Sequence, residues 1–201
     1  MQQAEERVPS FFRHQGNLNI YAHLVRKIDP NLTPLEHAYG GGGREVFLVE
    51  EKGKLYILKY ANLRYNSING QRLRNEIAGL SLCKDLEAVQ NLVRIYTGPE
   101  EIEAILKEPV QGVPLRKSAP HIKRKTKKEL IAAVAYLHSH GFAGLDIGSP
   151  NIIVNLDGLA KIIDLDNGIF FSEDAQREES FRRICSQDLI QLERLFRENE
   201  T

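Results

Sequence analysis

Residues 138–168 read HSHGFAGLDIGSPNIIVNLDGLAKIIDLDNG. Three polar groups, Asp146, Asn151 and Asp164, punctuate this otherwise apolar stretch at intervals of 5 and 13 residues. Asp146 opens a loop broken by Gly148 and Pro150, and Asn151 leads into Ile152, Ile153 and Val154, a run with the character of a buried strand. Asn155-Leu156-Asp157-Gly158 is a turn, and Ala160 to Ile163 returns as a second apolar strand ending at Asp164. Pairing of the two strands brings Asn151 and Asp164 to the same end, with Asp146 just before them. Two carboxylates and an amide then share a small volume. Such a set suits a hard divalent cation such as Mg²⁺ and leaves one carboxylate to orient a hydroxyl.

Phosphoryl transfer needs that arrangement, because its work is mostly positioning and charge neutralisation. The order D-x4-N followed by an Asp 13 residues later resembles the catalytic loop and metal-binding Asp of the protein-kinase superfamily. The resemblance extends through residues 38–196. It implies an α+β, protein-kinase-like two-lobed fold, with an N-terminal antiparallel sheet lobe and a reduced helical C-lobe. The boundaries expected are residues 1–38 for an N-terminal extension with a short helix, 39–108 for the first lobe and 109–201 for a minimal second lobe.

The first lobe has a glycine run, Gly40-Gly41-Gly42-Gly43, before strand-like Val46 to Val49, a polar turn, and Leu55 to Lys59. Glycines allow backbone N–H groups to approach phosphates closely. Lys59 resembles the strand Lys that contacts nucleotide phosphates in kinases. The register departs from the family's glycine pattern: with Val46 aligned, only Gly41 falls on a family glycine. Leu73, Ile77 and Leu80 give the following helix an apolar face. Glu76 borders that face, and the resemblance pairs it with Lys59. After two further strands at Leu92 to Tyr96 and Ile102 to Leu106, Glu108 and Val110 resemble the inter-lobe segment whose backbone meets the adenine edge.

Composition sets the remaining limits. The 201 residues are 42% hydrophobic and 27% charged, ordinary for a globular chain. Lys+Arg and Asp+Glu both number 27, which gives no argument for nucleic acid. Cys83 and Cys185 lack metal or redox spacing and read as free thiols of a reducing compartment. No signal-peptide pattern opens the sequence, and the apolar run Ile131 to Leu137 is too short to span a bilayer. A cytoplasmic protein is expected. Arg116, Lys117, Lys123, Arg124, Lys125, Lys127 and Lys128 form the one strong charge asymmetry. They are a candidate contact for an anionic acceptor or, peripherally, an anionic inner-membrane surface.

A helix is expected over residues 127–140, with Leu130, Val134 and Leu137 inward and His138 and His140 beside its C-terminal dipole. After it the chain leaves the ordinary protein-kinase pattern. The usual motif positions read Gly144-Leu145-Asp146 and Asp164-Leu165-Asp166, no A-P-E element follows, and a last amphipathic helix carries Asp188. His138 to Asp146 and Ile163 to Asp166 look like small atypical bacterial kinases, the lipopolysaccharide core heptose and Kdo kinases and their RIO-like relatives. The resemblance implies ATP and Mg²⁺ as cofactors, Lys59 on the phosphates, Glu76 orienting it, Asn151 and Asp164 on the metal, and Asp146 accepting the acceptor proton. Asp166 is a further candidate for metal or acceptor. The implied activity is transfer of the γ-phosphate to a hydroxyl, first of a lipopolysaccharide core sugar, second of a protein Ser/Thr. A pseudokinase binding module is the alternative from another class. Asp188 resembles the buried Asp that ties the catalytic loop to its supporting helix.

Overall fold

A computed structural model of the chain describes residues 18–39, 44–62, 67–97, 102–116 and 119–200. The chain divides into two compact units, Met1–Ile77 with Asn91–Pro109, and Ala78–Gln90 with Val110–Thr201.

The first unit is built from α1 (Leu18–Ile28), β1 (Thr33–Tyr39), β2 (Arg44–Glu51), β3 (Lys54–Asn62), the start of α2 (Ser67–Leu82), β4 (Leu92–Thr97) and β5 (Ile102–Lys107). Its five strands form one antiparallel sheet in the order β1-β2-β3-β5-β4. Because side chains alternate along a strand, each strand sends one set to each face. Phe47, Val49, Leu58, Tyr60, Ala104 and Leu106 make one buried face, covered by α1 through Val25 with Tyr21, Leu24 and Ile28. Those four helical positions recur at the spacing of a single apolar stripe. The other face carries Leu48 and Ile57, with Leu35, Val46 and Leu55 against them.

A polar clamp ends α1. Asp29 accepts from Arg94 Nη1 at 2.7 Å, from Tyr96 Oη at 2.8 Å and from the Asn31 backbone N–H at 2.9 Å, while Arg94 also donates to both oxygens of Glu51 at 3.1 Å. Burial alone would raise the Asp29 pKa, but the hydrogen bonds from Asn31 and Tyr96 and the Arg94 charge outweigh it and hold the carboxyl below its ordinary value. Burial and the bond to Asp29 push the Tyr96 phenol up to about 12.

Strand β1 is the element that sequence patterning does not announce. Its register with β2 shifts between Pro34 and Glu36, a bulge that breaks the two-residue period, and the buried His37 reads as polar. His37 is stacked on Tyr21 at 4.1 Å and bonded to Glu45 at 2.5 Å, which accounts for its burial.

The second unit holds β6 (Val113–Pro114), α3 (Arg124–Ser139), β7 (Phe142–Ala143), β8 (Ile152–Val154), β9 (Ala160–Ile162), β10 (Ile169–Phe170), α4 (Glu173–Gln176) and α5 (Glu179–Glu200). β6, β8 and β9 form one antiparallel sheet, and β7 pairs with β10. The β8–β9 turn is held by Asn155 Oδ1, which accepts from the backbone of Asp157 and Leu159. Gly158 closes it at φ +71, and a Cβ there would lie 2.5 Å from the His121 carbonyl oxygen. Helix α3 starts at Arg124, one turn before the 127 expected, because the basic run Arg124 to Lys128 hides the buried Thr126 that begins its inner face. Leu130, Val134 and Leu137 are fully buried along α3, as Leu192 is along α5. Near the end of α5, buried Asn199 accepts from Ile122 N–H at 3.1 Å and donates to the carbonyl oxygens of Arg116, Ala119 and Pro120. That single side chain ties the segment before α3 to α5.

The described residues contain no helix long and apolar enough to cross a membrane.

Candidate functional site

In the first unit, β3 delivers Lys59 and α2 delivers Glu76 to the same point. Lys59 Nζ lies 2.6 Å from Glu76 Oε2 as an ion pair, with Lys59 6% and Glu76 0% exposed. Lys59 shares its sheet face with Ile57, two residues earlier, and lies opposite Val46 on β2 and Ile105 on β5. The pair named from sequence is therefore formed. A second lysine joins it: Lys107 Nζ, also buried, donates to Glu76 Oε1 at 2.5 Å. Both carboxylate oxygens are thus engaged by ammonium groups. Sequence reasoning missed Lys107, which stands at the end of β5 beside Glu108 and reads as an ordinary polar strand terminus.

Glu108 is exposed. Its N–H donates to the Asn91 carbonyl oxygen at 3.0 Å and its carboxylate accepts from Asn91 Nδ2 at 2.8 Å. Val110, in the second unit, is half-buried. The glycine run Gly40, Gly41, Gly42 and Gly43 lies outside the described residues, as does Lys117.

In the second unit, Asp146 is exposed on the loop after β7, with φ +50. A non-glycine residue in this left-handed region is strained unless its surroundings hold it there. Two contacts do so. Asn151 Nδ2 donates to the Asp146 backbone oxygen at 3.0 Å, and Asn167 Nδ2 donates to Asp146 Oδ2 at 3.1 Å. Just upstream, the buried carboxylate of Asp188 on α5 accepts from Gly144 N–H and Leu145 N–H, each at 3.0 Å, and from His138 Nε2 at 2.9 Å. The loop bearing Asp146 is therefore anchored to α5 by two backbone donors on one charged group, and His138 of α3 supplies a third. His138 points inward to Asp188 rather than serving the α3 dipole, whereas exposed His140 bonds the Tyr136 carbonyl oxygen in the last turn.

The β8–β9 pairing places Asn151 and Asp164 as its register requires. Ile152 is opposite Ile162, and Ile163 N–H donates to the Asn151 carbonyl oxygen at 2.9 Å, so the two side chains flank one end of the hairpin. Asp164 Oδ1 accepts from Asp166 N–H at 3.1 Å. A carboxylate oxygen of Asp164 and one of buried Asp166 lie within 4.8 Å of each other. Gly168 follows where a Cβ would fall 2.3 Å from the Phe142 ring, which fixes the chain closely against β7. Asn151 uses its amide nitrogen on Asp146, leaving its oxygen as the ligating end. An all-oxygen set of an amide and two carboxylates fits Mg²⁺.

Of the basic window, Arg116, Lys123, Arg124, Lys125 and Lys128 are exposed. Lys127 is paired with Glu200 and lies over the Phe196 ring at 5.4 Å, so it packs α3 against α5.

No known protein-family model matches the sequence. A probable serine/threonine-protein kinase of Dictyostelium discoideum, mkcC, is 30% identical over 149 residues, a likeness that covers 70% of this chain and 16% of that protein. The chain thus spans about a sixth of the length of the curated relative it matches. That similarity, with the five-stranded antiparallel sheet and the helices of an α+β chain, supports a relationship to the protein-kinase-like superfamily.

Proposed function

We propose that the chain is an ATP- and Mg²⁺-dependent phosphotransferase that moves the γ-phosphate of ATP to an alcohol group. The observation that carries this reading is the buried Lys59–Glu76 ion pair. Two charges taken out of water cost several kcal/mol of desolvation, and an apolar pair of similar volume often serves a core equally well or better, so such a pair points toward a task other than packing.

In this reading residues 39–108 serve as the nucleotide lobe and residues 109–201 as the acceptor lobe. Lys59 holds the nucleotide phosphates and Glu76 orients it, while backbone groups of the glycine run and of Glu108 and Val110 meet the phosphates and the base. Asn151 and Asp164 would hold Mg²⁺, with Asp166 as a further oxygen, and the metal would neutralise charge on the β- and γ-phosphates. Asp146 orients the acceptor hydroxyl. As the new O–P bond forms and the bond from phosphorus to the β–γ bridging oxygen breaks, the hydroxyl proton passes to the Asp146 carboxylate and ADP leaves.

The acceptor proposed is a sugar hydroxyl of the lipopolysaccharide core type. Its support is local: only residues 167–178 connect Asp166 to α5, and β10 and α4 occupy part of them, which favours a compact acceptor over an extended peptide. A protein Ser/Thr acceptor is the second reading, favoured by the likeness to a probable serine/threonine-protein kinase. Exposed Lys123, Arg124, Lys125 and Lys128 support a peripheral contact of a cytoplasmic protein with an anionic membrane, each basic residue near such a surface adding about 1 kcal/mol.

The test follows γ-phosphate from Mg-ATP into a delipidated core oligosaccharide and, in parallel, into a protein mixture, with Asp146→Asn as control. Asn accepts the left-handed backbone at position 146, so the variant should fold as wild type while turnover falls about 10²- to 10⁴-fold, the usual worth of a positioned base. Undiminished turnover would refute the role of Asp146. Labelling of protein alone would replace the sugar acceptor with Ser/Thr. ATP binding without metal and without transfer would replace the enzyme with a pseudokinase binding module.

A further inference from the structure

Glu76 bridges two lysines, and the second has no part in the function proposed above. β3 and β5 are antiparallel, with Lys59 opposite Ile105 and Ile57 opposite Lys107. Lys59 and Lys107 are therefore diagonal neighbours on one sheet face, at a separation of about 7–8 Å between backbones. One carboxylate reaching down from α2 can span that gap, and it does: Oε1 takes Lys107 at 2.5 Å and Oε2 takes Lys59 at 2.6 Å. All three side chains are at most 6% exposed.

A glutamate bound to one ammonium can rotate about three side-chain torsions and engage it through either oxygen. Bound to a second ammonium rooted on a different strand, its carboxylate plane is set. Only Oε2 then faces Lys59, so the position of that ammonium is set along with the carboxylate. The helix that carries Glu76 is held to the sheet by the same contact. In kinases this Lys–Glu pair has to be assembled for activity, and its assembly is where helix position and phosphorylation exert control.

We propose that Lys107 is a positioning residue of the nucleotide site, which acts through Glu76 to keep the Lys59–Glu76 pair assembled before any ligand arrives. The inference rests on the phosphotransferase reading and adds to it a clamp internal to the first unit. The role of Lys107 is separable from stability. Lys107→Met keeps the apolar stem and leaves Glu76 still paired with Lys59, so no buried carboxylate is stranded. Glu76 Oε1 does lose its donor, at about 1–3 kcal/mol, a cost small enough for the variant to stay folded.

The experiment titrates the full chain with a fluorescent ATP analogue and Mg²⁺ and records the melting temperature of each protein: wild type, Lys107→Met, Lys107→Arg, Glu76→Gln and the double variant Lys107→Met/Glu76→Gln. Lys107→Met should bind nucleotide about tenfold more weakly, the scale of one lost charge-assisted hydrogen bond. Its melting temperature should fall by no more than about 10 °C, which leaves the protein folded at the assay temperature, and Lys107→Arg should recover part of the affinity. In the Glu76→Gln background the same substitution should change affinity less than twofold. Unchanged affinity in Lys107→Met overturns the inference while leaving the phosphotransferase reading intact. A tenfold loss that persists without Glu76 also overturns it, because Lys107 would then touch the nucleotide itself. A loss of affinity matched by a proportionate loss of stability in every variant assigns Lys107 to packing and overturns it as well. Failure of the wild type to bind nucleotide removes the phosphotransferase reading, and the inference falls with it.

Discussion

Replacing Asp188 by Asn tests whether α5 holds the loop of Asp146. The carboxylate accepts three hydrogen bonds at 2.9–3.0 Å from His138, Gly144 and Leu145, and it is 3% exposed. Asn has the same shape but one oxygen, and its NH₂ group would face a donor. At least one buried N–H then loses its partner, at about 1–3 kcal/mol, and the remaining bonds lose their charge assistance, roughly half their strength. A total of about 3 kcal/mol follows. For a chain of this size that corresponds to a fall of roughly 6–12 °C in Tm. The functional effect is larger than stability alone predicts, because Asp146 begins two residues after Gly144 and a displacement of about 1 Å at a reacting group can cost about 10²-fold in rate. Urea unfolding of both proteins gives the stability difference, and turnover measured well below the melting transition gives the second number. A variant within about 0.5 kcal/mol of wild type with undiminished turnover would refute the anchoring argument.

Two further outcomes follow from ionisation. Asp29 is held below its ordinary value of 3.8, so the clamp on α1 stabilises the chain at neutral pH and is lost as pH falls through that depressed value. Stability measured from pH 2 to 7 should fall on the acid side of about pH 4, and Asp29→Asn should flatten that limb; an unaltered limb in the variant would contradict the assignment. Burial pushes the Cys83 thiol up to about 12, so it should resist a thiol reagent at pH 8 in the folded chain and react once the chain is unfolded in urea. Rapid labelling under native conditions would show that the packing around Cys83 opens readily.

Some of this molecule is written plainly in its sequence and some is not. Asn151 and Asp164 are legible because they flank one hairpin, where short-range pairing converts sequence spacing directly into proximity, and Asp146 lies on the loop just before it, bonded to Asn151. Lys59 and Glu76 meet through a strand and the helix after it, and each element has a clear period. Strand β1 is hidden by its bulge, which shifts the alternation midway. Lys107 is hidden for a different reason: its partner lies 31 residues away, and a lysine at a strand end reads as an ordinary polar terminus. Asn199 leaves no trace at all, since its four contacts are with backbone groups about 80 residues earlier, which have no residue signature. His138 reads as a helix-terminal charge because the acceptor that turns it inward sits on α5.

The φ of +50 at Asp146 makes the residue type there an unusually clean marker. Most side chains are excluded from that backbone by sterics, while Asp, Asn and Gly are tolerated. Folding therefore accepts three residue types at this position and has little reason to choose among them, whereas the proton transfer proposed above would accept only one. On the proposed function, a change to Asn or Gly would keep a sound scaffold and remove the base, so the step from a phosphotransferase to an inert binder would be a single substitution that the fold would scarcely register. For any chain built on the same loop, the identity of this one residue reports chemistry almost free of the demands of stability.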